Sequence, residues 1–275
     1  AKTPRTIFQA TAGTSIIFDL VQTGTSNDRT GNHLCDFSVD GNSIATVGID
    51  CSNANIIERV TATRCTTAGI RLANFTNSTR IIRCGLTSNS GWGLQIEGVS
   101  TTTYSVEDTI CSLNTLGGID MEAGVNVLFK NVVSESNSGP ALKIFRPNTH
   151  TNAFGNIVFD TLWCEDNGST APNFTLSIDA YNTDSLRAIQ NVTFRQSRIN
   201  SSSATRKHLS FGNCKGVTFD HCSFDASTAS DALTLTSSSV EVAFIESAST
   251  WGGAVTGLSD TQVDNAIAQG TRCYF

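Results

Sequence analysis

A short pattern recurs along this chain at nearly constant intervals, and it restricts the fold more than any other feature. Its copies are Val47-Gly48-Ile49-Asp50-Cys51, Ala68-Gly69-Ile70-Arg71-Leu72, Trp92-Gly93-Leu94-Gln95-Ile96, Gly117-Gly118-Ile119-Asp120-Met121 and Pro140-Ala141-Leu142-Lys143-Ile144. The leading aliphatics Ile49, Ile70, Leu94, Ile119 and Leu142 stand 21, 24, 25 and 23 residues apart. Within each copy aliphatic and polar residues alternate, the period of a strand with one buried face. Many copies carry a second apolar segment, as in VLFKNVV at 127–133, IVFDTLW at 157–163, VTFRQSRI at 192–199 and VTFDHCSF at 217–224.

Short strands in units of about 23 residues, with polar turns and almost no helical period, describe a solenoid. One unit cannot bury its apolar face, but stacked units share a continuous core. Antiparallel hairpins would show two-residue Asn-Gly or Asp-Gly turns, which are largely missing, and the leucine-rich-repeat signature is absent. The expected fold is an all-β, right-handed, single-stranded parallel β-helix of about 9–10 coils. Asn89, Asn114 and Asn137 each precede a leading aliphatic by five residues, with Cys65 in that place one copy earlier. Pointed inward, such asparagines form an amide ladder with rungs about 4.8 Å apart.

Residues 1–31 read as a lead-in and first coil, 32–248 as the β-helix, and 249–275 as a cap or a link to a trimerisation region. Insertions are expected near 146–155, 167–190 and 201–207, and a short amphipathic helix at 260–268. The opening residues lack the apolar run of a signal peptide, as at a mature N-terminus or a cut domain boundary.

Charged residues make up only 15% of the chain and the net charge is −6, which offers no electrostatic footprint for nucleic acid. No apolar run approaches the roughly 20 residues of a membrane span, so no membrane insertion is expected. Nine cysteines lack any Cys-x-x-Cys pair, and the four histidines lack metal-ligand spacing, so neither metal nor cofactor is expected. His221 is expected to pack near the sheet. Ala62, Leu86, Cys111, Ser134, Cys164, Ser197 and Cys222 read as one column, with cysteines two rungs apart. That separation exceeds the roughly 7 Å reach of a disulfide, so they read as small buried thiols. Free thiols suit folding in a reducing cytoplasm.

Cys35-Asp36-Phe37-Ser38-Val39-Asp40-Gly41-Asn42 resembles the apolar-x-apolar-Asp-Gly-Asn first-coil segment of pectate-lyase-like β-helix proteins. The later Gly-aliphatic-x-aliphatic coils with an inward Asn are similar to the same superfamily, over roughly residues 7–248. Within it the chain looks most like bacteriophage tailspike or tail-fibre depolymerases. That resemblance implies a homotrimer of the virion tail, assembled in the host cytoplasm, that binds and degrades bacterial surface polysaccharide, capsule or O-antigen. The alternatives are a non-catalytic glycan-binding adhesin of a tail fibre, or a secreted lyase or epimerase. The calcium aspartates of the pectate lyases and the catalytic series of the polygalacturonases are missing.

In-register stacking places Asp50, Arg71, Gln95, Asp120, Lys143, Ser177 and Ser210 in one outward column. Ala73, Glu97, Glu122, Phe145 and Asp179 form a second, two residues further on. Glu97, Asp120 and Glu122 are therefore the candidate catalytic carboxylates, because clustered like charges raise a pKa and yield a proton donor beside an ionised base. Glycoside hydrolysis requires such a pair. Arg71, Lys143 and Arg146 flank the cluster as candidate ligands for an acidic sugar. Trp92 either stacks on a pyranose or packs as a turn residue. The competing reading is a solvated face whose cations compensate its carboxylates. Glu165, Asp166 and Asp179 form a second acidic candidate.

Overall fold

Three strands and three sharp corners make up each turn of the chain. A computed structural model describes residues 6–20, 31–52, 55–73, 76–98, 101–150, 153–168, 174–180, 188–200, 207–226, 231–235, 240–245, 248–251 and 254–256. Ten parallel strands, from Ile16–Leu20 to Ala254–Thr256, stack into one sheet. The strands Val47–Cys51, Ala68–Leu72, Trp92–Ile96, Gly117–Met121, Leu142–Arg146 and Phe174–Ala180 are its consecutive inner members. The remaining strands form a 17-stranded sheet of two columns. One column runs through Ile56–Glu58, Arg80–Ile82 and Ser105–Glu107, the other through Thr61–Thr63, Gly85–Thr87 and Ile110–Ser112. The long strands Val125–Glu135 and Gly155–Glu165 pass through both columns and join them. This is the expected right-handed parallel β-helix, with no helix among the described residues.

The corners are built from residues in the left-handed region. Asp36, Arg59, Arg83, Asp108, Asn131, Thr161, Gln196 and His221 occupy one corner column, with φ between 46° and 63°. Each swaps the side of the chain that faces inward without adding a loop. Most are polar, the residue types that tolerate this conformation best.

Buried Ile49, Ile70, Leu94, Ile119, Leu142, Leu176 and Leu209 line the inside of the ten-stranded sheet. Opposite them Phe129, Phe159, Phe194 and Phe219 stack ring on ring, with centroids 4.6–4.7 Å apart and planes within 15°. In-register pairing at strand spacing aligns identical rings in this offset stack.

The amide ladder is present and longer than expected. Asn89 Nδ2 donates to Asn114 Oδ1 at 2.9 Å, Asn114 Nδ2 to Asn137 Oδ1 at 3.0 Å, and Asn137 Nδ2 to Asn167 Oδ1 at 2.8 Å. Each acceptor also takes the backbone N–H of the rung below, beginning with Cys65 N–H to Asn89 Oδ1. Asn167 therefore closes the ladder rather than opening an insertion. Phe174–Ala180 is likewise a regular strand rather than part of an insertion, and 169–173 and 181–187 lie outside the described residues. The stack also continues beyond residue 248, where Ala248–Trp251 and Ala254–Thr256 pair with the preceding coil. The 260–268 helix and nearly all of the 201–207 insertion lie outside the described residues.

Other expectations need correction. The inward column runs Ala62, Leu86, Cys111, Ser134, Cys164, Ile199 and Phe224, so Ser197 and Cys222 are not in it. Ser197 lies two residues before the inward Ile199, and its Oγ accepts the N–H of Leu162 on the neighbouring strand at 3.1 Å. None of the eight described cysteines is disulfide-bonded and seven are buried, but Cys35 is exposed, because Leu34 takes the inward place in its short strand. His221 is exposed at a left-handed corner and pairs with Asp220 at 2.7 Å.

Candidate active site

The glycines of the repeat exist because of the ladder beneath them. A Cβ on Gly93 would lie 2.8 Å from Asn114 Nδ2, and one on Gly118 would lie 2.0 Å from Ser134 Oγ. Only glycine lets the strand lie this close to the buried amides. From there the chain alternates, so Leu94 and Ile96 point in while Gln95 and Glu97 point out.

Register puts Asp19, Asp50, Arg71, Gln95, Asp120, Lys143, Ser177 and Ser210 in one outward column, matching the expected series wherever both cover it. In the next column Glu97 and Glu122 are rung neighbours, since the N–H of Glu122 donates to Ile96 O at 2.8 Å. Phe145 and Asp179 follow in register. The structure thus assembles Arg71, Gln95, Glu97, Asp120, Glu122 and Lys143 on one sheet face.

Ion pairs organise the patch. Arg71 grips Asp50 with both Nε, at 3.1 Å, and Nη2, and its Nη1 stands 3.8 Å from Glu97 Oε2. Lys143 Nζ lies 3.1 Å from Asp120 Oδ1, 5.6 Å from the Trp92 ring centroid and 5.3 Å from that of Phe145. Its ammonium is therefore held by one carboxylate and two aromatic rings.

All three candidate carboxyls are pushed above the ordinary carboxylate range, and burial is the largest cause each time. Asp120, 3% exposed, is raised by burial against the opposing pull of Lys143. Glu97 is raised by burial, while Arg71 draws it back. Glu122 is raised by burial and then by the Asp120 carboxylate, with Lys143 opposing. Glu97 thus has a guanidinium as its principal neighbour, whereas Glu122 has a carboxylate. Asp179 is raised by burial as well.

Two expected ligands are placed differently. Arg146 is only 4% exposed, and its Nε donates to the backbone oxygen of His150 at 3.3 Å. Alternation from Lys143 and Phe145, both outward, sends Arg146 beneath the 147–150 turn, away from a ligand. Trp92 is 8% exposed and lies over Gly117, where a Cβ would meet the indole at 2.2 Å. It packs against the sheet and forms a wall for Lys143 rather than an open stacking platform. Glu165 and Asp166 end a strand of the 17-stranded sheet, so they do not join Asp179.

Gln95, Phe145 and His150 were not selected from sequence as site residues. Gln95 and Phe145 could be found from the column alone. His150 could not, because the turn after Arg146 brings it back so that Nδ1 meets Glu122 O at 3.0 Å. No group of His, Cys, Asp and Glu among the described residues is arranged to hold a metal ion.

No protein-family model matches the chain, and no curated protein matches its sequence. Among solved structures it is similar to the A-module of a mannuronan C-5 epimerase from Azotobacter vinelandii, with 8% identity and a TM-score of 0.45 over 90% of each chain.

Proposed function

We propose that this outward face binds polysaccharide and hydrolyses its glycosidic bonds. The observation that carries the reading is the contrast between Glu97 and Glu122, rung neighbours in unlike electrostatic surroundings. Glycoside hydrolysis uses such a pair, one carboxyl protonated and the other ionised. In this reading Glu122 gives its proton to the glycosidic oxygen as the bond from that oxygen to the anomeric carbon breaks. Glu97, kept ionised by Arg71, attacks the anomeric carbon from the other side. Water then displaces Glu97 and returns the proton to Glu122. Neighbouring strands lie about 4.8 Å apart, nearer the roughly 5–5.5 Å of retaining enzymes than the wider inverting gap. Asp120 fixes Lys143 and sustains the charge that favours the protonated form of Glu122.

The resemblance of the coils to tailspike-type depolymerases makes bacterial capsule or O-antigen the natural substrate, with the chain serving as part of a homotrimer in a viral tail. The test is incubation with a panel of such polysaccharides, following new reducing ends and the ultraviolet absorbance of unsaturated uronates. Reducing ends without that chromophore, formed with retention at the anomeric carbon, are the expected outcome. Glu122→Gln and Glu97→Gln should each lower the rate about 10²–10⁴-fold, with Glu122→Gln still binding the polysaccharide. Full activity in both variants would remove this face as the catalytic site. A glycan that binds but is never cut would make the protein an adhesin.

A further inference from the structure

The described cations of this face, Arg71 and Lys143, are already engaged, and acceptors are left over. Asp50 takes both arms of the Arg71 guanidinium, and Lys143 is held by Asp120 and two aromatic rings. Glu97 meets Arg71 only at 3.8 Å, and Glu122 makes no ion pair among the described residues. Between Arg71 and Asp120 in the same column, Gln95 is 9% exposed, and its buried Oε1 has no donor. A buried acceptor without a donor is rare enough in folded proteins to require an explanation.

We propose that this face selects a glycan whose sugar presents a free amine, met by the Glu97 carboxylate and Gln95 Oε1 on the same strand face, and that it turns away uronates. An ammonium brings the positive charge and the donors that the face lacks. A uronate carboxylate would bring a further negative charge beside Glu97, Asp120 and Glu122 with no free cation among the described residues of the face to receive it. The same shortage bears on chemistry. Elimination or epimerisation at a uronate builds charge on the sugar carboxylate as the neighbouring carbon loses its proton, and that charge needs a cation in place. This inference rests on reading the face as a glycan site and adds the substrate class; it reverses the expectation that Arg71 and Lys143 hold an acidic sugar.

Calorimetric titration at pH 6 and low salt tests it with three probes: the chitosan hexamer, the fully N-acetylated chitin hexamer, and hexagalacturonate. The chitosan hexamer should bind at least tenfold more tightly than either other probe. That preference should shrink at least fivefold in Glu97→Gln and in Gln95→Leu, each checked for folding by its melting curve. Equal binding of hexagalacturonate, no binding of the chitosan hexamer, or a preference unchanged in both variants would overturn the proposal. A polysaccharide cut by the wild type without any amine preference sinks the amine inference alone. An amine preference in a protein that cuts nothing sinks the hydrolase reading alone.

Discussion

Asn114 shows how much one side chain carries in this fold. Its Oδ1 accepts from both the N–H and the Nδ2 of Asn89, while its Nδ2 donates to Leu86 O and Asn137 Oδ1. Asn114→Ala strands buried donors on Asn89, and the expected loss is about 2–4 kcal/mol in urea unfolding. The carboxyls of the site act in the opposite sense. Burial raises Glu97, Asp120 and Glu122 in the folded state, so between unfolded and folded values the native protein holds more protons than the unfolded chain. Stability from this cluster is fully present below the ordinary carboxyl pKa of about 4 and is lost as pH rises through the raised values. Asp40, drawn down by its hydrogen bond to Arg64, does the reverse: its contribution is present above that ordinary value and is lost as pH falls through the depressed one. Glu122→Gln should therefore raise the melting temperature at pH 7 by about 1–3 °C and flatten the decline that sets in above about pH 4. A lower melting temperature at pH 7 would mean that Glu122 stabilises the fold rather than straining it.

The turns and strands show which parts of the fold were legible. Alternation and the 21–25-residue steps are enough to place the outward column from Asp50 to Lys143, because each leading aliphatic lies directly above the last, and alternation alone carries it on to Ser177 and Ser210 across steps of 34 and 33 residues. The reading failed where coil length changed. Asn137 and Asn167 are 30 residues apart, so the ladder was cut one rung short. Ser197 and Cys222 stand two residues before Ile199 and Phe224, a shift that preserves alternation and leaves both buried in the neighbouring inward column; spacing alone does not separate two inward columns that lie side by side. The burial of Arg146 and the approach of His150 to Glu122 are not legible in the sequence, because both depend on the turn closing over the strand end. The turns also differ in tolerance. A Cβ on Gly91 would lie 1.8 Å from the backbone oxygen of Thr67, whereas on Gly85 its nearest neighbour is 3.7 Å away. Gly91→Ala is expected to cost about 2–4 kcal/mol, and Gly85→Ala to stay within about 0.5 kcal/mol, by the same unfolding measurement. Equal effects would show that the turn relaxes freely.

At the scale of the molecule, the interior is sealed along its length without covalent staples among the described residues. Seven buried cysteines sit in this core, and burial pushes Cys65 up to about 12 and Cys222 up to about 11, so neither offers a reactive thiolate near neutrality. Iodoacetamide followed by peptide mapping should modify Cys35 in the native protein and spare Cys51, Cys84, Cys111 and Cys164 until unfolding. Modification of Cys111 at the rate of Cys35 would show that the coils part locally while the rest stays folded. The ladder intervals of 25, 23 and 30 residues have a different consequence. Coils of unequal length give the same amide bonds of 2.8–3.0 Å, so extra residues leave the stack at the turns and disturb no neighbour. Inheritance can therefore act on two separate alphabets. Changes inside a face are judged by the rungs above and below, while changes in a turn are judged only by what that turn touches outside. A lineage built on this plan can exchange the borders of its ligand face coil by coil while the floor beneath stays fixed.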